Sequence, residues 1–235
     1  MSEFGLRSDR LATRGGWKQD PAGVQSNIIS VAMAEFARNG LSGARMDEIA
    51  AKTRTSKRMI YYYFGDKEGL YRRVLEEAYR QVRDGEQKLD LDHLPPVDAL
   101  RRLVEFTFDH HSRNPDFIRM VMIENIHHGA YMDQSDVIRT VNAGAIQKLE
   151  DICRRGREAG LFRTDVAPVE LHWHISALSF FNVSNRATFS GIFGDHLFTR
   201  AGQDMLRKHV VEMVLRYVLM EAPKPEAIPP EPETI

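Results

Sequence analysis

SGARMDEIAAKTRTSKRMIYYYFGDK, residues 42–67, has the pattern of two short helices joined by a tight turn. The first is expected from about Met46 to Lys52, with Asp47 and Glu48 in its first turn, where carboxylates complement the positive end of the helix dipole. Thr53-Arg54-Thr55 forms the turn, and Ser56 follows as an N-cap whose hydroxyl accepts from an amide two or three residues on. In the second helix Ile60 and Phe64 are four residues apart and share the buried side, which leaves Lys57, Arg58, Tyr61 and Tyr62 mainly on the others. Cations neutralise phosphates and read guanine in the major groove, and tyrosine hydroxyls bond phosphate oxygens, so this face suits DNA. Lys67, just after Asp66, adds a phosphate contact at the start of the next helix.

From Ile28 to Leu75 the chain resembles the DNA-binding domain of the TetR family of one-component transcriptional regulators. The matching positions are Ala34-Glu35-Phe36, Gly40, Ile49-Ala50, Ser56, Ile60-Tyr61, Tyr63-Phe64, Lys67-Glu68 and Leu70, at the family's spacing. The resemblance implies an all-α fold, with an N-terminal three-helix DNA-binding domain carrying a helix-turn-helix and a C-terminal helical domain for ligand binding and dimerisation. It also implies a double-stranded operator as partner, read by Arg45, Ser56, Lys57, Arg58, Tyr61, Tyr62, Tyr63 and Lys67, and a small-molecule effector that releases a repressor from a palindromic site. Three positions depart from the family pattern. Arg45 stands where Thr usually caps the first helix; it cannot cap, but as a cation it suits the same phosphate. Arg54 replaces the usual turn glycine and must either turn left-handed or bend the turn differently. Arg58 replaces a residue that is often glycine.

The formal net charge of −1 hides an asymmetry, because residues 1–80 carry fourteen Lys and Arg against ten Asp and Glu, while the remainder carries eighteen against twenty-three. Only the first part suits a polyanion. Residues 1–21, with Arg7, Arg10, Arg14 and Lys18 among glycines, are expected to form a flexible basic arm, and residues 22–67 the reader. Residues 68–221 are expected to bind the effector and dimerise, and the Pro-rich acidic tail, 222–235, to be disordered. With no run of eighteen apolar residues, no signal peptide and a single cysteine, the chain is expected to be cytoplasmic, with no membrane and no internal disulfide.

Apolar spacing predicts helices over residues 22–39 ended by Gly40, from Asp66 towards Glu86, and over 97–113, 116–128 and 134–159. Residues 169–187 are apolar on two faces: Leu171, Ile175, Leu178 and Phe181 on one, Trp173, Ala177, Phe180 and Ser184 on another. A helix buried on two sides needs its own core and a second subunit. The last helix, about 199–220, repeats this with Leu206, Val210, Met213 and Tyr217, so two helices from each of two copies are expected to form a four-helix bundle. In the resembled family the effector sits among the middle helices. Phe106, Phe117, Met120, Trp173 and Phe181 would supply its apolar walls, with His110, Glu124, His174 and Asn182 as polar anchors.

The chain has no Gly-rich phosphate loop, nucleophile elbow or catalytic carboxylate pair, so no enzyme and no cofactor is expected. Nine histidines invite a metal site, yet His110-His111 and His127-His128 point about 100° apart on a helix and His172 and His174 nearly opposite, so no metal is expected. Cys153 shares a stripe with Ile146 and Leu149 and reads as core. The off-pattern Arg54 and Arg58 also leave a second reading open, a helical sensor or scaffold acting through protein partners without DNA.

Overall fold

A computed structural model describes residues 20–220, and among them every regular element is helical. In chain order these are α1 (Pro21–Gly43), α2 (Met46–Thr53), α3 (Lys57–Phe64), α4 (Lys67–Gln87), α5 (Pro96–Arg113), α6 (Pro115–Ile126), α7 (Asp136–Glu158), α8 (Pro168–Ser184), α9 (Arg186–Phe193), a 3-10 turn (His196–Phe198) and α10 (Arg200–Val218). The expected arm, 1–21, lies outside the described residues except at its end. There Asp20 caps α1 by accepting from the Gly23 amide at 2.9 Å, and Pro21 is already helical. The expected tail, 222–235, lies outside them altogether.

Helix α1 is broken where the sequence indicated, at Gly40, whose φ of +68° costs glycine little. Ile28, Ala32 and Phe36 are fully buried and, with Ile49, Ile60, Leu70, Tyr71 and Val74, form the reader's core. Each buried Ile, Leu, Val or Phe among them contributes about 1.5–3 kcal/mol. Phe36 and Tyr71 meet edge to face with centroids 5.2 Å apart, which locks α1 to α4. This core also takes in Met120 from α6 and Ile138 from α7, and α4 runs on to bury Ala78 and Val82 against Phe117 and Ile118.

A separate core joins α5, α7, α8 and α10 through Leu100, Val104, Leu149, Leu171 and Val214. Cys153 belongs to it, and burial pushes its thiol pKa up, which suits packing and not a reactive thiolate. After α7 the chain folds back so that Phe162 packs on Gly156, where an added Cβ would sit 2.1 Å from the ring. Arg163 N–H then donates to Val218 O at 2.8 Å and Met220 N–H to Leu161 O at 2.9 Å, which pins the α7–α8 connection to the end of α10.

Helix α9 and the 3-10 turn were not foreseen from the sequence. No apolar side chain of α9 belongs to the buried core, and a segment without a buried apolar face lacks the periodic stripe from which helices are read. No helix of the described residues is long and apolar enough to cross a membrane.

Candidate nucleic-acid interface

The helix-turn-helix is assembled from α2 and α3, docked on α1 by a buried carboxylate. Glu35 on α1 accepts from Asn39 Nδ2 at 2.7 Å, from the Arg45 amide at 3.3 Å and from Lys52 Nζ at 3.1 Å. Burial pushes its carboxyl pKa up, but these hydrogen bonds outweigh burial and hold it below 4.5. Arg45 precedes α2 in extended conformation and makes no side-chain cap, as its chemistry requires, so its guanidinium stays exposed.

At the turn Arg54 takes the left-handed conformation, φ 53° and ψ 30°, and Thr53 Oγ1 donates to Ile49 O at 2.8 Å. Ser56 then caps α3 by accepting from the Met59 amide at 3.2 Å, so its hydroxyl is engaged within the reader. Ile60 and Phe64 are buried as their spacing predicts, while Arg58, Tyr61 and Tyr62 are exposed, Tyr62 to 78%. Tyr63 is half-buried between Tyr62 and Phe64, with centroids at 5.4 and 6.2 Å. Two of the expected DNA contacts are partly engaged inside the protein. Lys57 Nζ lies 3.1 Å from the Asp47 carboxylate, and Lys67 Nζ donates to Ser42 O at 3.1 Å, which fixes the start of α4 against the end of α1.

The residues expected to hold an effector do not converge. Phe106, His110 and Phe117 do come together, His110 standing 5.7 Å from the first ring and 5.9 Å from the second. They border two small cavities, about 310 and 250 Å³. Met120 is fully buried in the reader's core, because α6 turns that face towards α1 and α4. Glu124, 1% exposed, accepts from the Tyr131 and Met132 amides at 2.8 and 2.9 Å and so serves the α6–α7 connection. Trp173 and Phe181 are exposed on the outside of α8, and His174 packs edge to face on Tyr217 at 4.9 Å. Asn182 exchanges hydrogen bonds with Gln203 at 2.8 and 2.9 Å and faces a third cavity of about 760 Å³.

The expected subunit face is also redrawn. Val210 is 4% exposed within a single chain and belongs to its own core, and Leu206 packs against that core. Phe180 is half-buried against Ala78, Val82, Phe117 and Ile118, because α8 turns it towards α4 and α6. Ala177, Ser184 and Tyr217 are half-buried. The apolar side chains left outside are Val169, Trp173 and Phe181 on α8, Met205 and Met213 on α10, and Met220 just beyond its end; within each helix the spacings of four and eight residues keep them towards one side.

The packing of neighbouring helices sets the environment of several polar groups that spacing alone could not describe. His110, His111 and His172 have lowered pKa values, chiefly through burial, His111 reaching about 4, and Arg83 adds to each effect. Ser179 Oγ and the Nδ1 atoms of His110 and His111 are buried without a hydrogen-bond partner. Among the described residues no group of three or more His, Cys, Asp or Glu is placed to hold a metal ion.

Comparison with known proteins agrees with this geometry. Residues 28–74 match the family model described as bacterial regulatory proteins, tetR family, and residues 96–214 match that of the tetracyclin repressor-like C-terminal domain. The chain is 34% identical to the HTH-type transcriptional repressor NicS of Pseudomonas putida over 193 residues, 82% of this chain and 91% of that protein. It is 35% identical to the HTH-type transcriptional repressor SCO4008 of Streptomyces coelicolor over 113 residues, 47% of this chain and 54% of that one. A crystal structure of a regulatory protein in the tetR family from Rhodococcus RHA1 shares the fold, with TM-score 0.66 and 20% identity over 84% of this chain and 97% of the other. The chain therefore belongs to the TetR family of bacterial regulatory proteins, a family of helix-turn-helix transcription regulators and not of enzymes.

Proposed function

We propose that this protein is a homodimeric repressor that binds a palindromic operator and changes its hold on it when a small molecule binds the second region. The observation that carries this is the outward face of α3, where Arg58, Tyr61 and Tyr62 stand exposed on a helix-turn-helix whose turn is closed at Arg54 and whose second helix is capped by Ser56. The two relatives named above are themselves repressors. Arg45 and Lys67 flank the face and hold phosphates, while Lys57, Arg58 and Tyr61 meet base edges. Ser56 contributes by starting α3 at the right place, and Tyr63 by bracing Tyr62.

One reader contacts half a site. The exposed stripe on α8 and α10 is the surface that pairs two copies, with Trp173 and Phe181 prominent on α8 and Met213 on α10. Pairing would set two α3 helices about 34–36 Å apart for successive major grooves. An effector acts by favouring a conformer in which that separation is lost. Acting on DNA, the protein works in the cytoplasm.

Fluorescence anisotropy with the intergenic DNA beside the protein's own gene tests the reading. Saturable binding that weakens steeply with salt is the expected result. Absent or salt-insensitive binding, with retention on a partner protein and not on heparin, would favour the sensor or scaffold reading instead.

A further inference from the structure

The cavity of about 760 Å³ lies between α6, α8, α9 and the 3-10 turn and reaches Ala37 on α1. Its wall is mixed. Ile118, Met122, Ile126, Val183 and Phe198 supply an apolar surface, and two guanidinium-bearing residues, Arg119 and Arg186, stand at it. Arg186 lies over the Phe198 ring, 5.4 Å from its centroid. Among the described residues neither guanidinium has a carboxylate within ion-pair distance, although Asp195 also lines the cavity, so the wall keeps an excess of positive charge. Ser190 Oγ, another lining group, is buried with no hydrogen-bond partner. A buried hydroxyl left unpaired costs stability unless something supplies a partner. The more buried cations Arg83, Arg155 and Arg207 have carboxylate partners, whereas Arg119 and Arg186 are exposed at the cavity and have none among the described residues.

We propose that this cavity is the effector site and that its ligand is an organic anion, a carboxylate on an apolar ring system or chain. The carboxylate lies between Arg119 and Arg186 and accepts from Ser190 Oγ, and the apolar body covers Ile118, Met122 and Val183. Guanidinium forks suit carboxylates, and in a partly enclosed site such a pair adds about tenfold or more to affinity.

The position explains how the ligand would be felt at the DNA. Ile118 and Ile123 line the cavity, yet Ile118 also packs against Ala78 and Val82 of α4, and Ile123 against the reader's core. A molecule that presses on these side chains shifts α6 against α1 and α4, the two helices that carry the reader. Only this last step rests on the repressor reading; the binding itself does not.

The test uses the full-length protein and two matched pairs of probes, 2-naphthoate with 2-naphthamide and decanoate with decanamide, by isothermal titration calorimetry. At least one acid is expected to bind roughly tenfold or more tightly than its amide. Arg119→Gln and Arg186→Gln are expected to abolish that preference, and Arg119→Lys and Arg186→Lys to restore part of it. Far-UV circular dichroism and melting temperature establish that each variant is folded. The same acid is expected to change operator affinity in anisotropy. Equal binding of acid and amide, no binding of either acid, or folded glutamine variants that retain the preference would overturn the proposal. So would conversion of the dimer to monomer by the glutamine variants, since the arginines would then belong to the subunit contact. Loss of operator binding in the absence of any acid would overturn the repressor reading and leave the calorimetric result standing, so the two failures are distinguishable.

Discussion

Lys57 on α3 and Asp47 on α2 form an ion pair of 3.1 Å across the helix-turn-helix. A lysine on the reading face is thus already partnered by a carboxylate before DNA arrives, and both side chains are exposed. Phosphates and base edges must compete with Asp47 for that ammonium. Asp47→Asn removes the competitor and one negative charge from the face, so operator affinity at low salt is expected to rise about 3- to 10-fold, with the gain shrinking as salt is added. Anisotropy titrations across a salt series read this directly. Weaker binding would mean that Asp47 aims Lys57 at its target.

Arg58 has no such internal partner among the described residues and stands exposed on α3. Arg58→Ala is expected to cost about 1–3 kcal/mol of operator binding and to relax the preference at one base position of each half-site. Titration against operators with single-base changes checks this. If affinity and preference both survive, the reading face is not the one described.

Arg54 bears a strained backbone, since left-handed conformation costs a side-chain-bearing residue about 1–2 kcal/mol that glycine largely escapes. Arg54→Gly is expected to stabilise the protein by up to about 1 kcal/mol in urea denaturation. A net loss would show that its guanidinium makes a contact worth more than the strain.

Glu35 holds α1 to α2 with its charge nearly out of reach of water. Because its folded pKa is lowered, its stabilisation is present above 4.5 and is lost as pH falls from there through the folded value. Glu35→Gln is expected to cost about 1–3 kcal/mol at pH 7, through the weakened bonds to Lys52 and the Arg45 amide. The gap between the two proteins should close on acidification below pH 4.5. Denaturation at pH 7 and pH 3.5 compares them; an equal gap at both would assign the effect to packing alone.

Trp173, 66% exposed, is the largest apolar side chain on the outer stripe of α8. Trp173→Glu combined with Met213→Glu is expected to yield monomers in sedimentation velocity and to reduce operator affinity about 100-fold or more, because two half-sites can no longer be held together. Dimers that persist would place the subunit contact elsewhere.

Residues 42–67 alone determined the helix-turn-helix. Its caps at Ser56 and Asp66 and the buried pair Ile60 and Phe64 follow from local chemistry, because capping and helical periodicity act over three or four residues, whereas of the two turns open to Arg54 the structure shows the left-handed one. The same short-range physics made α4 through α8 and α10 legible to within a few residues. Tertiary structure decided which apolar faces meet. The pattern placed Phe181 inside and Phe180 and Val210 between subunits, whereas the rotation of α8 and α10 on their neighbours buries Val210, packs Phe180 half-buried against α4 and α6, and exposes Phe181. It likewise moved Met120 and Glu124 out of any effector site and gathered Arg119, Arg186 and Ser190, far apart in sequence, around one cavity. Spacing along a helix says which residues share a face; only the packing of that helix against others says what the face touches.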